Sequence, residues 1–590
     1  MKHSLLLLFF SLHILAAEPE FPLTADSKPQ AAVAKGTLIK DSYTAPESSV
    51  FPGTVREYQI YLPAGFDKAK PVHFMVFQDG VIYQAPVVFD NLIAKKDIPS
   101  LVGIFIKPGV VPAANDNALP RFNRSYEYDS ITPTYSKFLI EEFLPALEKK
   151  HSISLSQDPN HAAISGNSSG GICAFMVAWH RPDRFRRVFT GVGTYVGIHG
   201  ADQLPVLVRK IEPKPLRIYL QSGTGDNNLY CGDWWMANQM MERSLTWAGY
   251  DVNHAWGEGG HNQKHATQIF PDVLRWLWRD WQTDIEVKAN PKAESKWKGY
   301  EVVNESSWHP VVTDLKKTMF IDFYPPLISM ADGTVLFTNQ GNLMQLKIGE
   351  HISPRYEVET GLGGFPAMTI NHHGHLIAVL NDMVCAKTQM ISINEKGIFE
   401  AMPHYFMDNI QSLAITSDDR LFAWGNLGSA GYVCTYRGTE WQVDPFTEQE
   451  NFGKGRIALS PDQTMLYISG SKSNRVAMGQ IQKDQQVRHT DGFVMLDEFG
   501  DTPDTEKGLC VDTEGRLYVA TSLGIQVCDQ AGRVNFIIPT PKPAHDVCFG
   551  GKDLSELFIA CGDTIYKRPT KVHGVVSGQQ APIKPAPPKL

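Results

Sequence analysis

A serine flanked by glycines is the first feature of this chain that could perform chemistry. Residues 166–170 read Gly-Asn-Ser-Ser-Gly and place Ser168 at the centre of a G-x-S-x-G pattern. The pattern lies between an apolar run at His161–Ser165 and a segment of helical spacing at Gly171–His180. On such a strand-to-helix turn the neighbours must lack bulk, and the serine hydroxyl is exposed. Ser168 is therefore predicted to be a nucleophile, with Ser169 as the rival.

A serine nucleophile needs a general base and an acidic residue that orients the base. Asp226 follows the strand-like run Leu216–Gln221, and His261 lies in the glycine-rich segment Gly257–Asn262. The order serine, acid, histidine predicts acyl transfer, in which His261 removes the proton of Ser168 while Asp226 holds the imidazole. The alternatives left open are Asp233 for the acid, and His254 and His265 for the base.

The elements that would position these side chains are indicated by alternating segments between residues 36 and 285. Strand-like runs are apolar and β-branched, whereas helical segments repeat their apolar residues at a period near 3.6. The strand-like runs are Tyr58–Leu62, His73–Phe77, Leu101–Ile106, His161–Ser165 and Leu216–Gln221, and the helical segments are Tyr135–Lys149, Gly171–His180, Trp234–Ala248 and Ala266–Trp278. This alternation predicts an α/β domain with a mainly parallel sheet covered by helices. Residues 18–35 are interpreted as a lead-in and residues 286–299 as a linker.

Near residue 300 the sequence changes to short strand-like runs separated by Gly, Asp and Asn turns. One pattern recurs six times, as in ADGTVLFTN from Ala331 and DTEGRLYVA from Asp512. Its leucines are Leu336, Leu376, Leu421, Leu466, Leu517 and Leu557, at steps of 40, 45, 45, 51 and 40 residues. Such periods fit one four-stranded blade each, so residues 300–570 are predicted to form an all-β six-bladed propeller. The Pro- and Lys-rich residues 571–590 are predicted to be a disordered tail.

The first residues predict export from the cytoplasm. Lys2 and His3 precede an apolar run at Leu5–Leu15 and then Ala16 and Ala17, which is the pattern of a signal peptide over residues 1–17. The run is shorter than the roughly 20 apolar residues that span a bilayer, so no integral membrane association is expected. The mature protein is predicted to be secreted or periplasmic.

Composition excludes some partners. The 590 residues carry a formal net charge of -8 and no basic face that could neutralise phosphates, so nucleic acid is not expected as a partner. The eight cysteines form no C-x-x-C pair and no metal-ligand spacing with histidine. Oligomeric state is left open.

Several motifs in order give residues 50–282 a family resemblance. This segment resembles the enterochelin-esterase and esterase-D group of α/β hydrolases, which includes feruloyl and acetylxylan esterases. The matching motifs are FQDG at Phe77–Gly80, RSYEYD at Arg124–Asp129, SGNSSGG at Ser165–Gly171, RPDRFRRV at Arg181–Val188, GTGD at Gly223–Asp226 and GEGGHN at Gly257–Asn262. The resemblance implies an α/β-hydrolase fold and the triad roles of Ser168, Asp226 and His261.

Further site residues complete this interpretation. Because Ser169 begins a helix, its amide is a candidate donor to a developing oxyanion. The resemblance implies a second donor, the amide of Val81 in the loop Asp79-Gly80-Val81. Arg124, Trp234 and Trp235 are predicted to bind substrate, with one of the two adjacent tryptophans facing the pocket.

Residues 320–567 resemble the propellers of gluconolactonases and luciferin-regenerating enzymes, most clearly at Ile457–Gly470 and Gly508–Val527. Those enzymes bind a divalent metal through Glu, Asn and Asp. The matching positions here are Tyr324, Gly455 and Lys507, which do not offer the oxygen ligands of a hard cation. The sequence therefore predicts neither a metal nor a cofactor, and a binding or targeting role for the propeller.

Together these features predict a secreted serine carboxylic-ester hydrolase. Esters of carbohydrates or siderophore-like compounds are the expected substrates, either small molecules or polysaccharides. Two alternatives belong to other classes: a metal-dependent lactonase acting from the propeller, and a non-catalytic recognition protein.

Overall fold

The structure, a computed structural model, describes residues 20–287, 292–293, 297–315, 326–339, 342–349, 351–355, 365–382, 387–402, 410–427, 430–436, 441–445, 455–484, 486–498 and 507–588. The predicted signal peptide at 1–17 lies outside these residues. The chain divides into two compact units, Met1–Val206 with Pro213–Ser295 and Leu207–Glu212 with Lys296–Leu590. None of the helices in the described part of the chain is long and apolar enough to cross a membrane.

A ten-stranded sheet forms the centre of the first unit. The strands of this unit are Thr37–Thr44 (β1), Val55–Leu62 (β2), His73–Gln78 (β3), Leu101–Ile106 (β4), Val110–Val111 (β5), Arg121–Phe122 (β6), Ala162–Asn167 (β7), Arg187–Gly191 (β8), Arg217–Gly225 (β9), Asn228–Leu229 (β10), Gly232–Asp233 (β11) and Asp251–Gly260 (β12). The order across the sheet is β12-β9-β8-β7-β3-β4-β2-β5-β6, with β1 paired to β2, while β10 and β11 form a separate hairpin.

The strands from β12 to β4 in this order all run parallel, whereas β1, β2, β5 and β6 pair antiparallel. Strands β4, β7 and β8 are buried along their whole length, which explains the continuous apolar sequence of β4. The outer strand β1 alternates between exposed and partly buried residues. The predicted mainly parallel sheet is confirmed.

Helices cover this sheet. They are Ala85–Lys95 (α1), Arg124–Tyr128 (α2), Thr134–Lys137 (α3), Leu144–His151 (α4), Ser169–His180 (α5), Leu204–Lys210 (α6), Trp234–Ala248 (α7) and Lys264–Trp278 (α8), and a π-helical segment at Phe138–Phe143 joins α3 to α4. Helix α5 follows β7 directly and is buried on nearly every side. In α8 the buried residues include Ala266, Phe270, Leu274 and Leu277, which share the one face that meets the core.

The second unit contains six four-stranded antiparallel sheets. The strands are His309–Val312 (β13), Ile328–Ser329 (β14), Val335–Asn339 (β15), Asn342–Lys347 (β16), His351–Pro354 (β17), Ala367–Ile370 (β18), Leu376–Asp382 (β19), Lys387–Ile393 (β20), Phe399–Ala401 (β21), Ile410–Ile415 (β22), Leu421–Leu427 (β23), Ala430–Tyr436 (β24), Trp441–Pro445 (β25), Ile457–Leu459 (β26), Met465–Ile468 (β27), Arg475–Ile481 (β28), Val487–Met495 (β29), Leu509–Val511 (β30), Leu517–Thr521 (β31), Gly524–Cys528 (β32), Val534–Ile538 (β33), Asp546–Gly550 (β34), Glu556–Cys561 (β35) and Thr564–Pro569 (β36).

These sheets are the blades of the predicted six-bladed propeller, which is confirmed. Each repeated leucine falls in the second strand of its blade and is buried, as in Leu336 of β15 and Leu557 of β35. The last blade has the order β13-β36-β35-β34, so a strand from the start of the unit pairs with one from its end. This pairing joins the two ends of the unit in one blade and so closes the ring.

The prediction of a disordered tail at residues 571–590 needs correction. The structure describes this segment as far as Pro588, and it is hydrogen bonded to several blades. The Val575 amide donates to the Val511 carbonyl at 3.2 Å, and the Ser577 hydroxyl donates to the Ile415 carbonyl at 2.8 Å. Proline fixes φ without needing a regular partner strand, so the Pro-rich composition is compatible with an ordered extended segment.

Candidate active site

The predicted site residues meet at one edge of the first sheet. Ser168 follows β7 directly, Asp226 follows β9 and His261 follows β12. The carboxyl ends of parallel strands lie at the same edge of a sheet, where α/β proteins place their ligands. Residues that are far apart in the chain are therefore brought within hydrogen-bonding distance.

The turn at Ser168 is strained. Its φ of 57° and ψ of -123° lie outside the regions that residues with a side chain ordinarily adopt. A Cβ added to Gly166 would lie 2.1 Å from the Gly170 carbonyl oxygen, and one added to Gly170 would lie 2.9 Å from Asp79 Oδ2. Gly166 is thus required by close approach of the backbone and Gly170 by close approach of the Asp79 and Gln78 side chains, and the sequence predicted small residues here from the type of turn.

Three side chains form one chain of hydrogen bonds. His261 Nε2 lies 2.7 Å from Ser168 Oγ, and His261 Nδ1 lies 2.6 Å from Asp226 Oδ1. The Asp226 side chain is completely buried and also accepts hydrogen bonds from the Ser222 hydroxyl at 2.7 Å and the Asn227 amide at 2.8 Å. These donors fix the carboxylate, which leaves Oδ1 facing the imidazole.

Glycines allow the strands of the acid and the base to approach. Gly223 of β9 is registered with Gly257 of β12, and a Cβ on Gly223 would lie 2.3 Å from the Gly259 carbonyl oxygen. The register shifts between Gly257 and Gly260, where the strand delivers His261 toward the sheet edge. The glycines near Asp226 and those near His261 therefore allow the same close contact between β9 and β12.

The alternative acid and bases have other partners. The Asp233 side chain caps α7 by accepting the Met236 amide at 3.0 Å. The His254 ring stacks on Trp256 at 4.6 Å, and the His265 ring stacks on Phe21 at 4.8 Å. Burial lowers the pKa of both histidines below the ordinary value.

Thr194 is a site residue that sequence reasoning missed. Its Oγ1 lies 3.3 Å from Ser168 Oγ and accepts a hydrogen bond from Trp234 Nε1 at 3.2 Å. The Trp234 ring also meets the His261 ring edge-to-face at 5.5 Å, whereas Trp235 meets Trp256 at 5.4 Å. Of the two adjacent tryptophans, Trp234 therefore contacts the site. No motif contains Thr194, so only the folded chain reveals it.

Two residues are assigned to the oxyanion, and one of them, Ser169, directly follows the nucleophile. Ser169 is the first residue of α5, and Val81 follows the left-handed Asp79 and Gly80, whose φ values are 65° and 87°. The Gly80 amide donates to the Ile106 carbonyl at 3.1 Å, which fastens this loop to β4. Arg124, predicted to bind substrate, forms an ion pair with Asp79 at 2.7 Å.

The propeller positions that correspond to a lactonase metal site do not fit a metal. Lys507 donates from Nζ to the Gly470 carbonyl at 3.0 Å, so the lysine ammonium group already binds this oxygen. Gly455 offers no side-chain oxygen, and its amide donates to Gln411 Oε1 at 2.9 Å. Tyr324 lies outside the described residues.

Elsewhere in the described part of the propeller, three exposed side chains lie close enough to share an ion. They are His372, His373 and Asp419, whose ligand atoms lie within 4.8 Å of one another. His372 Nδ1 already pairs with Asp419 Oδ2 at 2.8 Å.

Two known families match this chain, one almost entirely within the first compact unit and one within the second. Residues 49–274 match the family described as "Putative esterase", and residues 431–562 match the "SMP-30/Gluconolactonase/LRE-like region". The chain therefore joins an esterase-family segment to a gluconolactonase-like segment. The esterase match supports a hydrolase of ester bonds.

Curated relatives cover parts of the chain. The iron(III) enterobactin esterase of Dickeya dadantii (strain 3937) is 29% identical over 137 residues, which are 21% of this chain and 30% of the relative. Regucalcin of Oryctolagus cuniculus is 29% identical over 125 residues, 20% of this chain and 40% of the relative. The chain thus spans less than half the length of these relatives.

Solved structures with some likeness come from the same two classes. The enterobactin esterase of Shigella flexneri aligns with a TM-score of 0.34 and 20% identity, over 44% of this chain and 63% of that structure. A gluconolactonase of Xanthomonas campestris aligns with a TM-score of 0.37 and 14% identity, over 46% of this chain and 91% of that structure.

Proposed function

We propose that this chain is a serine carboxylic-ester hydrolase with a Ser168, His261 and Asp226 triad. The observation that carries the proposal is the hydrogen-bond chain from Ser168 Oγ through His261 to the buried Asp226 carboxylate. His261 Nε2 accepts the Ser168 proton as Oγ attacks the ester carbonyl, and Asp226 keeps the other ring nitrogen protonated. The protonated imidazole then gives its proton to the leaving alcohol.

Water completes the reaction by attacking the acyl-enzyme, with His261 again acting as the base. The amides of Ser169 and Val81 are proposed to bind the oxyanion in both steps. Thr194 supports this arrangement, because the Trp234 indole donates to its oxygen and leaves the threonine hydrogen to point at Ser168 Oγ. Trp234 also limits rotation of the His261 ring by packing against it.

The proposed substrates are esters of carbohydrates or siderophore-like compounds. The similarity to an enterobactin esterase supports the second class. The signal-peptide pattern of residues 1–17 supports action outside the cytoplasm, in the medium or the periplasm. The propeller is proposed to bind or target the substrate and not to perform the chemistry, because Gly455 and Lys507 are unsuited to a divalent cation.

The proposal is tested with two adjacent serines. Ser168→Ala should abolish hydrolysis of a small activated ester, because only the nucleophilic hydroxyl is lost. Ser169→Ala keeps its backbone amide and loses only the hydrogen bond from Arg124 Nη1, so it should retain activity far above that of Ser168→Ala and serves as the comparison. Equal activity of Ser168→Ala and the parent protein would refute the proposed function.

A further inference from the structure

Arg124 connects the two backbone segments that flank Ser168. Its Nε and Nη2 donate to the two carboxylate oxygens of Asp79 at 2.7 and 2.8 Å, and its Nη1 donates to Ser169 Oγ at 3.0 Å. Asp79 begins the loop that leads to Val81, and Ser169 follows the nucleophile. One planar guanidinium is thus bound to both segments that carry the assigned oxyanion amides.

The Asp79 loop needs such support. Asp79 is a residue with a side chain in the left-handed region, which is less favourable than an ordinary backbone conformation. The Gly80 amide is held by the Ile106 carbonyl, but the Asp79 side chain depends on Arg124 and on its packing against Gly170. Without the bidentate pair, little would hold the left-handed conformation that sets the position of the next amides.

Charge gives Arg124 a second effect. Asp79 is only partly exposed and lies beside the first turn of α5, where an oxyanion at Ser168 would develop. The Asp79 carboxylate and the oxyanion would repel each other in this partly dehydrated site, and the Arg124 guanidinium neutralises the carboxylate. The hydrogen bonds that Arg124 donates to Asp79 raise the pKa of Arg124, so this positive charge persists throughout the working pH range.

We propose that Arg124 is a positioning residue that holds both segments of the oxyanion hole in register and neutralises Asp79. This inference rests on the proposed esterase function and assigns Arg124 a role other than the substrate binding expected from the sequence. All three of its donating nitrogens are engaged with the protein, although its side chain is 39% exposed.

A positioning role predicts that substitutions of Arg124 lower kcat and leave KM nearly unchanged. In Arg124→Gln, kcat should fall about 10²-fold, comparable to the loss of one oxyanion donor, while KM changes by less than about threefold. Arg124→Lys keeps the charge but cannot bridge two segments, so its kcat should lie between those of Arg124→Gln and the parent. Arg121→Gln removes an exposed charge nearby and is the matched control, with unchanged kcat.

A second measurement is the affinity for a boronic acid, which forms a tetrahedral anionic adduct with Ser168. This affinity would not change if the role of Arg124 were merely structural. The boronate affinity should fall by the same factor as kcat/KM in the Arg124 variants, at an unchanged melting temperature, because the adduct uses the oxyanion hole as the transition state does. In the double variant Asp79→Asn with Arg124→Gln, removal of the uncompensated carboxylate should restore part of kcat.

Several results would overturn this inference. A raised KM with unchanged kcat would show that Arg124 binds substrate, and unchanged boronate affinity would show that the oxyanion hole does not depend on it. Failure of the proposed function is recognised separately, because Ser168→Ala would then hydrolyse the ester as the parent does. If Arg124→Gln does not fold, the comparison of Arg124→Lys with Arg121→Gln decides the question.

Discussion

Replacing Gly166 by alanine should disable the site without touching any side chain of the triad. A Cβ at this position would lie 2.1 Å from the Gly170 carbonyl oxygen and 2.2 Å from its carbon. Both partners are backbone atoms, so no side-chain rotation relieves the contact. An ordinary carbon contact needs about 3.5 Å, so the turn and the first residues of α5 must separate by more than about 1 Å.

Such a displacement moves Ser168 relative to His261, whose hydrogen bond to Ser168 now spans 2.7 Å. A misplacement of about 1 Å costs on the order of 10²-fold in rate, and overpacking costs typically about 1–3 kcal/mol of stability. Gly166→Ala should therefore lower kcat about 10²-fold or more and also lower the melting temperature. Gly171→Ala is the matched control, because its nearest contact would be 3.2 Å.

The assay is steady-state hydrolysis of a small chromogenic ester by both variants, together with thermal unfolding followed by circular dichroism. We expect Gly171→Ala to keep activity within a few-fold of the parent, since a neighbour need move by only a few tenths of an ångström. Parent-like kcat in Gly166→Ala would refute the argument, since it would mean that the turn yields to a methyl group without moving Ser168.

Three further predictions concern the acid, metal dependence and pH. Asp226→Asn should lower kcat by up to about 10⁴-fold because the imidazole loses the partner that fixes its tautomer, whereas Asp233→Asn should change kcat little; a large loss in Asp233→Asn with little change in Asp226→Asn would make Asp233 the acid. Treatment with a chelator should leave ester hydrolysis unchanged, and a loss restored by Ca²⁺ or Zn²⁺ would move the chemistry to the propeller. Burial lowers the pKa of His180 to about 4, and its unfolded value is near 6.5, so the unfolded state binds the proton first as pH falls. His180 alone should therefore contribute a decrease of up to roughly 3 kcal/mol in the free energy of unfolding between pH 6.5 and 4, and His180→Gln should reduce the slope measured in urea titrations by that share.

The triad candidates could be predicted because their signals are local. Glycines stand on each side of Ser168 and directly before Asp226 and His261, so each candidate is marked by the residues beside it in the sequence. The repeated leucines likewise revealed the propeller because each blade repeats one local pattern. Periodicity alone thus supported both the sheet and the blades.

Contacts between distant segments could not be predicted in this way. Thr194 reaches Ser168 only because the chain after β8 passes beside the turn after β7, and no spacing in the sequence reports that. Arg124 was assigned to substrate binding, but its partners in the structure are Asp79 and Ser169. Proline content suggested disorder at residues 571–590, although hydrogen bonds to the propeller order the segment as far as Pro588.

The strained turns of the site follow strands that are buried except for the partly buried His73 at the start of β3. Three neighbouring strands, β3, β7 and β8, are each followed by a left-handed residue with a side chain: Asp79, Ser168 and Val192. Each such residue costs of order 1–3 kcal/mol and persists only where its surroundings fix it. The Ser168 amide donates to the Gly191 carbonyl at 2.8 Å, and the Val192 amide donates to the Gln221 carbonyl at 2.7 Å, so each strained turn is tied to the next strand. Rigid buried strands are therefore a requirement of the proposed chemistry, because a looser sheet would let these turns relax and withdraw Ser168 from His261.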